Sequence, residues 1–361
     1  MRVIFGLSFV GAVSLFLVAQ TATAQVAGNR SCRDDNGTDR CAEAQQRLTR
    51  ESFGVRSIEE HRAARDQVRR IFYVDGYGRD LILIAFVRAP GRDPTLWVHY
   101  PRREGEARPE PLQAPVPQAA WNEVVQRSGS FDRTFAPRPG EDPQLRALCL
   151  HGWVYTIESV GRDRGPRLPA ELRRKTESAC EDGPGTAYAQ DVERIALSLI
   201  PHCAALDPQY HRNPSAMLAT CRILHGDRLA AAEVLNLAHG FLHIGGPEHA
   251  HRIQGLFAHE VSIDWSGERY RGSSLEAPAF WTARLDQEDS GHTNLYVASV
   301  DAESADRVRL RGTLRRSVDG PRGRGNSSQE ARVELIWTRD LNSEMKVESA
   351  TVGPWQPDPP Q

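Results

Sequence analysis

The last third of the chain carries long segments in which apolar and polar residues alternate one by one. Val308, Leu310 and Leu314 occupy alternate positions with arginines between them, and Val333 and Trp337 belong to a second such segment. Successive side chains of a strand point to opposite faces, so this period predicts strands with one buried and one solvent-facing side. Four strands are expected in this region, at residues 294–299, 307–318, 331–338 and 344–352.

Helical periodicity precedes these strands. Residues 227–244 repeat apolar residues at spacings of three and four, Asp227 can cap the N-terminus, and Gly245 and Gly246 follow the last periodic residue. A second helix is expected to begin at Pro247, and a third carries Trp281. Helices followed by long antiparallel strands indicate an α+β domain with its helices on one face of a curved antiparallel sheet.

The segment FAHEVSIDWSGERYRG, residues 257–272, lies among these helices and predicts a strand with two different faces. The order of elements, the longer phrase GLFAHEVSIDWSGERYRG with its G-x-x-Y-x-G turn, and the closing strands that end in ESATVGPW resemble the nuclear-transport-factor-2-like superfamily, in particular its bacterial SnoaL-like members. The resemblance covers residues 227–357, about a third of the chain. It implies a cone-shaped domain with an open mouth that can hold an apolar ligand, in a superfamily of isomerases, cyclases, epoxide hydrolases and non-catalytic binding or assembly domains.

Candidate site residues follow from this cone. A carboxylate in a pocket walled by tryptophan could have a raised pKa that suits it to proton transfer. The candidate catalytic residues are Asp264, His259 and Tyr270, and the candidate ligand-binding residues are Trp265, Trp281 and Trp337. The alternative is a solvated strand carboxylate beside a tryptophan-rich core. The question that separates the two is whether Asp264 faces into the cone or out of it.

Histidines are concentrated just before this segment. His239 and His243 are spaced for one face of a helix, as in a zinc site, and His249 or His251 could add a third ligand. No H-E-x-x-H motif occurs, and a polar helix surface explains the spacing equally well. We therefore assign no metal ligands and expect no cofactor.

Residues 25–226 predict a separate N-terminal α+β domain, an antiparallel sheet with helices and disulfides. Its sheet is expected from β-rich runs at 67–74, 81–87, 95–100 and 148–159. Its helices are expected at 119–127, 192–200 and 215–224. Between the third and fourth runs, residues 101–117 contain five prolines, which exclude a central strand and predict an extended surface loop.

The chain begins with Arg2, an apolar run over residues 3–18, and small residues at Ala22 and Ala24. This order is typical of a secretory signal peptide covering residues 1–24, and it predicts a periplasmic or secreted protein. Six cysteines follow, and an even number in an exported chain is typical of disulfides. Pairing of neighbours would join Cys32 to Cys41, Cys149 to Cys180, and Cys203 to Cys221, although six cysteines allow fifteen pairings.

The net charge of the chain limits the classes of binding partner that we expect. The chain has 45 basic residues (Lys and Arg) and 47 acidic residues, a formal net charge of -2, so no basic field favours nucleic acid. No later segment is apolar enough for membrane insertion after signal cleavage, and no G-x-S-x-G motif indicates a hydrolase. We expect an exported binding or assembly protein for a small apolar or amphipathic ligand or a protein partner, including a homodimer through the sheet of the cone domain. The alternative is a cofactor-independent isomerase, cyclase or hydratase with acid and base residues in the cone.

Overall fold

The computed structural model describes most of the chain from Arg40 onward. The described residues are 40–75, 80–102, 105, 107–128, 153–161, 171–178, 183–209, 211, 213–242, 253–285, 293–318 and 327–357. The chain divides into two compact units, Met1–Ser57 and Ile58–Gln361. In the first unit, helix α1 (Arg40–Phe53) ends at Gly54, which adopts a positive φ of 64°. All elements below belong to the second unit.

The first sheet has six strands in the order β4-β3-β2-β1-β5-β6, all antiparallel. The strands are β1 (Gln67–Asp75), β2 (Asp80–Arg88), β3 (Thr95–His99), β4 (Leu112–Pro115), β5 (Trp153–Gly161) and β6 (Glu171–Ser178). The four predicted strands of this region are confirmed as β1, β2, β3 and β5. The proline-rich stretch was predicted to be loop throughout, which is wrong for β4. That strand lies at the sheet edge, where the missing N–H of Pro115 removes no bond from a central strand.

Helices pack on both faces of the first sheet. They are α2 (Ile58–Ala63), α3 (Gln118–Ser128), α4 (Pro184–Ser198), α5 (Pro201–Ala204) and α6 (Pro214–Thr220). Tyr73 and Ile157 of the sheet join a buried cluster with Trp121 of α3, Val192 of α4 and Leu218 of α6. Helix α2 packs on the other face, where Ile58 meets Val68 and Val160. The sheet is therefore covered on both sides near the start of β1.

The second sheet has eight strands, seven of them in the order β7-β10-β11-β12-β13-β8-β9, with a short β14 beside β12. The strands are β7 (Leu224–Gly226), β8 (Phe257–Trp265), β9 (Glu268–Ser273), β10 (Thr293–Ser304), β11 (Arg307–Val318), β12 (Ser327–Arg339), β13 (Met345–Val352) and β14 (Gln356–Pro357). The expected strands are confirmed, but the expected all-antiparallel sheet is wrong. β13 pairs parallel with β8, and β10 pairs parallel with β7, because the chain leaves the sheet and returns between these partners.

Two helices support the inner face of the second sheet, α7 (Arg228–Leu242) and α8 (Ala277–Leu285). Asp227 caps α7 as predicted, since its Oδ1 accepts bonds from the backbone N–H groups of Leu229 and Ala230 at 3.2 and 3.3 Å. Arg339 at the end of β12 donates to both carboxylate oxygens of Glu233, at 3.2 and 2.9 Å. This pair ties α7 to the sheet.

The two sheets share one continuous buried cluster of apolar side chains, which includes Tyr73 of the first sheet and Leu310 of the second. The predicted boundary between residues 226 and 227 stays a prediction, and β7 ends at this point. A disulfide joins Cys203 to Cys221, as predicted. The other two predicted pairs involve residues outside the described part of the chain. Among the described residues, no helix has the length and apolar character needed to cross a membrane.

Candidate functional site

Asp264 lies on the solvent-facing side of β8, next to the turn between β8 and β9. Ser266 and Gly267 form the centre of this turn with positive φ values of 54° and 91°. Asp264 Oδ1 accepts a bond from the Gly267 N–H at 3.0 Å, and Oδ2 lies 3.4 Å from Nε of Arg269. The Asp264 side chain is 37% exposed. The geometry assigns this carboxylate to the turn and to solvent.

The other two candidate catalytic residues lie elsewhere on the same hairpin. Tyr270 pairs with Ile263, so its side chain faces inward, where its ring packs on Phe280 at 4.8 Å. Its hydroxyl donates to the Ser273 carbonyl at 3.2 Å. Partial burial and the carboxylate of Glu276 raise the pKa of Tyr270, which keeps the phenol neutral. His259 is exposed on β8. The structure therefore does not bring Asp264, Tyr270 and His259 together.

The three candidate ligand-binding tryptophans lie in the interior between the second sheet and its helices. Trp281 and Trp337 are 0% exposed and Trp265 is 6% exposed. Trp265 and Trp281 meet edge to face, with ring centres 5.0 Å apart. Aromatic pairs of this kind are typical of a packed core. The described interior is thus filled at these positions by protein side chains.

The predicted histidine cluster lies outside the described part of the chain, which leaves out the side chain of His239 and residues 243, 249 and 251. Within the described residues, His202 lies close to Cys203 and Cys221, with potential ligand atoms within 4.8 Å of one another. Both sulfurs are held in the disulfide, so they are not thiolate ligands. Burial and the nearby Arg228 lower the pKa of His202 to about 4.

The outer face of the second sheet carries paired charges. We use "outer face" for the solvent-facing side of β10–β13: Tyr296, Ser299, Asp301, Arg309, Arg311, Thr313, Arg315, Glu330, Arg332, Glu334, Ile336, Ser349 and Thr351. Arg311 Nε lies 3.0 Å from Oε2 of the directly opposite Glu334, and Arg315 faces Glu330 in the same way. Three arginines of β11, at positions 309, 311 and 315, therefore lie beside β12, which carries Glu330 and Glu334 with Arg332 between them.

Glu193 is a buried acid that the sequence interpretation did not single out. It lies on α4, 3% exposed, and its Oε2 accepts a bond from the Ser215 N–H at 3.3 Å. Burial raises the pKa of Glu193 to about 7. Its position was visible in the sequence, because Glu193 lies on the apolar stripe formed by Ala189, Val192 and Ala196.

Phenols surround this acid. Burial and the charge of Glu193 raise the pKa of Tyr73 well above its usual value, and they act in the same direction on Tyr155. The rings of Tyr73 and Tyr155 meet edge to face at 5.3 Å, and the Tyr73 hydroxyl donates to the Ala189 carbonyl at 3.1 Å. Chemically, this group can hold or release one proton near neutral pH inside the core.

A second set of buried charges lies on the other face of the first sheet. Arg70 Nε donates to Oε2 of Glu158 at 2.6 Å, and Arg174 Nε donates to Oε1 at 2.5 Å. The side chains of Arg70 and Glu158 are each 2% exposed. The three residues pair directly across β1, β5 and β6, so one carboxylate is held between two guanidinium groups.

No model of a protein family matches the chain, and no curated protein matches it. The solved structures to which the chain is similar each match about a third of it, at low identity. A nuclear transport factor 2-like superfamily protein from Salmonella enterica is 12% identical, covers 36% of this chain and 94% of its own, and gives a TM-score of 0.30. A hexachlorocyclohexane dehydrochlorinase from Novosphingobium barchaimii is 16% identical, with coverages of 36% and 92% and a TM-score of 0.29. A DUF4783 family protein from Bacteroides uniformis is 12% identical, with coverages of 33% and 96% and a TM-score of 0.25.

Proposed function

We propose that this chain is an exported binding or assembly protein that binds a protein partner through the outer face of the second sheet, and that the partner is a second copy of the chain. The observation that carries this proposal is the filled interior. Trp281 and Trp337, two of the three residues predicted to line a ligand pocket, are instead fully buried among protein side chains. A binding function is better served by a surface than by such an interior.

The outer face has the chemistry of a self-complementary surface. Its arginines on β11 lie between carboxylates on β10 and β12, and Arg311 contacts both Glu334 and Asp301. A two-fold interface uses the same patch on both subunits, so the patch must complement itself. A second copy can place the carboxylates of its outer face against the arginines of the first. Tyr296, 54% exposed beside Arg315, adds an aromatic group of the kind enriched at interfaces.

Export is supported by the disulfide between Cys203 and Cys221, because such bonds persist in oxidising compartments. The enzymatic alternative has weaker support. Asp264 and Tyr270 lie on opposite faces of the β8–β9 hairpin, so they do not form an acid and base pair around one substrate.

Sedimentation velocity of the chain without residues 1–24, over a range of protein and salt concentrations, tests the proposal. We expect self-association that weakens as salt screens the charged face. Arg311→Glu combined with Arg315→Glu should weaken it more than about tenfold, because like charges then meet across the interface.

The matched control reverses the charge of Arg127 and Arg194 by substitution with glutamate. These two helix arginines also pair with a carboxylate, that of Asp191. This variant carries the same change of charge and should self-associate like the wild type. Circular dichroism melts confirm that both variants fold. A wild type that stays monomeric at every concentration, or a dimer that both variants weaken equally, would contradict the proposal.

A further inference from the structure

A cleft opens at one end of the first sheet. Its volume is about 310 Å³. It is lined by Arg65, Asp66 and Gln67 at the start of β1, by residues 88–91 at the end of β2, and by Gly161 at the end of β5. These segments meet because β1 runs antiparallel to both β2 and β5, so that Gln67 pairs with Arg88 and Val68 with Val160.

Arg65 lines the cleft from a backbone position that normally belongs to glycine. It follows helix α2 with a φ of 62°, in the left-handed region. Its N–H bonds to the Arg62 carbonyl at 3.1 Å, and the Asp66 N–H bonds to the His61 carbonyl at 3.0 Å. Glycine is preferred at this point of a helix end because a β-carbon is disfavoured there. The chain instead has an exposed arginine at this position, in the lining of the cleft.

Arg88 faces the cleft from a fixed position. Its guanidinium carbon lies 4.6 Å from the centre of the Trp121 ring, and its Nη2 donates to Oε1 of Gln118. The Gln118 amide in turn donates to Asn122 Oδ1 at 2.6 Å. Cation–π contact and this chain of hydrogen bonds hold Arg88 in place before any ligand arrives, which lowers the entropic cost of binding.

A third guanidinium lies beneath Gly161. A β-carbon at position 161, which lines the cleft, would lie 2.9 Å from Nη1 of Arg69, so that guanidinium group lies close to the backbone of Gly161. Arg69 is buried, and its Nη1 donates to the carbonyls of Val68 and Val160, both at 2.9 Å. Among the described residues of the lining, Asp66 is the one carboxylate, and it lies 2.8 Å from Nδ1 of His61. Positive charge therefore predominates in the described part of the lining, where Arg65 and Arg88 outnumber Asp66.

We propose that this cleft binds a small molecule through a divalent oxyanion, a phosphate monoester or a dicarboxylate. Guanidinium groups present paired N–H donors that match the oxygen spacing of both anions. The volume is near the lower end of the range for ligand pockets, which suits a metabolite rather than a polymer. This site is separate from the outer face of the second sheet and does not depend on the function proposed for it.

Isothermal titration calorimetry of the chain without residues 1–24, at low ionic strength, tests the proposal with inorganic phosphate and with succinate as probes. We expect saturable binding of one of them with a stoichiometry of one. Removal of a single guanidinium contact, as in Arg88→Gln, should weaken affinity about tenfold to a hundredfold.

The decisive variant is Arg65→Gly, which restores the residue that the backbone prefers. It should raise the melting temperature while it weakens anion binding to the same degree as Arg88→Gln, so the loss of binding does not come from unfolding. The matched control is Arg92→Gln, which removes an exposed arginine next to the cleft that is not part of its lining. The absence of saturable binding with both probes, or an equal loss of affinity in Arg65→Gly and Arg92→Gln, would overturn the proposal.

Discussion

The two sheets handle charge in opposite ways. Arg70 and Glu158 of the first sheet lie inside the protein and pair there. Glu193 of helix α4, which packs on this sheet, is also buried, among tyrosines. In the second sheet, the inner face is mostly apolar, with Arg316 as a buried exception, and the arginines Arg309, Arg311 and Arg315 lie on the outer face, where Arg311 is 49% exposed. Buried charges require their exact partners, whereas exposed pairs can be exchanged at little cost. Arginine and glutamate are therefore required for the stability of the first sheet, whereas on the second sheet the same residue types contribute little to the stability of the folded chain.

Removal of the buried carboxylate should have the largest effect. Glu158→Ala leaves Arg70 buried beside Arg174 without the anion between them, and loss of one partner of a buried pair costs about 3–5 kcal/mol. Equilibrium unfolding in urea measures the cost. The matched control in the second sheet is Glu334→Ala, which should cost about 1 kcal/mol or less. An equal loss in the free energy of unfolding for the two variants would show that the two sheets do not differ in how much they depend on their charged pairs.

The next effect is a pH dependence that comes from Glu193. The pKa of Glu193 in the folded protein, about 7, lies above the value of 4.5 for an unfolded chain. Its contribution to stability is therefore fully present below pH 4.5 and is lost as pH rises toward and through 7. The total change is about 3 kcal/mol by proton linkage.

The Glu193 effect is measured as a difference, because buried histidines titrate in the same range. Burial lowers the pKa of His99 and of His202 to about 4, so their contribution grows with pH up to about 6.5 and opposes that of Glu193. Unfolding of the wild type and of Glu193→Gln, compared from pH 4.5 to 8, removes the shared histidine contribution. The free energy of unfolding of Glu193→Gln should rise relative to that of the wild type as the pH increases across this range. A difference in free energy that stays constant would contradict the assignment of a raised pKa to Glu193.

A smaller effect is expected from two residues with left-handed backbone, one near each sheet. Arg65 and Ser343 have φ values of 62° and 63°. Arg65→Gly and Ser343→Gly should each stabilise the fold by about 1 kcal/mol, because glycine removes the strain of the β-carbon. Thermal unfolding measures both. Only the first variant should also lose anion binding, so a loss in both would point away from the cleft.

The smallest effect should come from the exposed pair Arg311–Glu334. A double-mutant cycle to alanine should give a coupling of about 0.2–1 kcal/mol that declines in high salt. Urea unfolding of the four proteins at low and high salt provides the values at a protein concentration where the chain is monomeric. A coupling as large as the cost of Glu158→Ala would show that the outer face is not an ordinary solvated surface.

The second sheet could be predicted from the sequence because its alternation is local. Val308, Leu310 and Leu314 follow the period of a strand with one wet face, and the structure places them inward. The same logic put Asp264 on the face opposite Ile263 and Trp265, although it did not decide which face was buried. The parallel pairing of β8 with β13 could not be predicted, since it joins segments that local patterns do not connect.

The first sheet resisted the same reasoning where it buries charge. A strand with Arg69 and Arg70 in succession offers no polar face to solvent, because both residues are buried. Their partners lie about ninety residues later, in β5, so nothing near them in the sequence shows that the charges are matched. Glu193 was missed for a related reason, since an acid next to an apolar stripe is usually placed at the stripe's edge and in water.

The three-residue strand β7 has a consequence for how the second sheet avoids aggregation. It covers the edge of β10 at residues 300–302, and at Gly226, with a φ of 70°, the two backbones approach so closely that a β-carbon would lie 1.9 Å from the Ala302 carbonyl oxygen. Uncovered sheet edges recruit strands from other molecules. The cover comes from chain that precedes α7, next to the disulfide at Cys221. We expect reduction of that disulfide to loosen the anchor of β7 and to expose this part of the β10 edge to neighbouring molecules, so the disulfide would protect solubility as well as the fold.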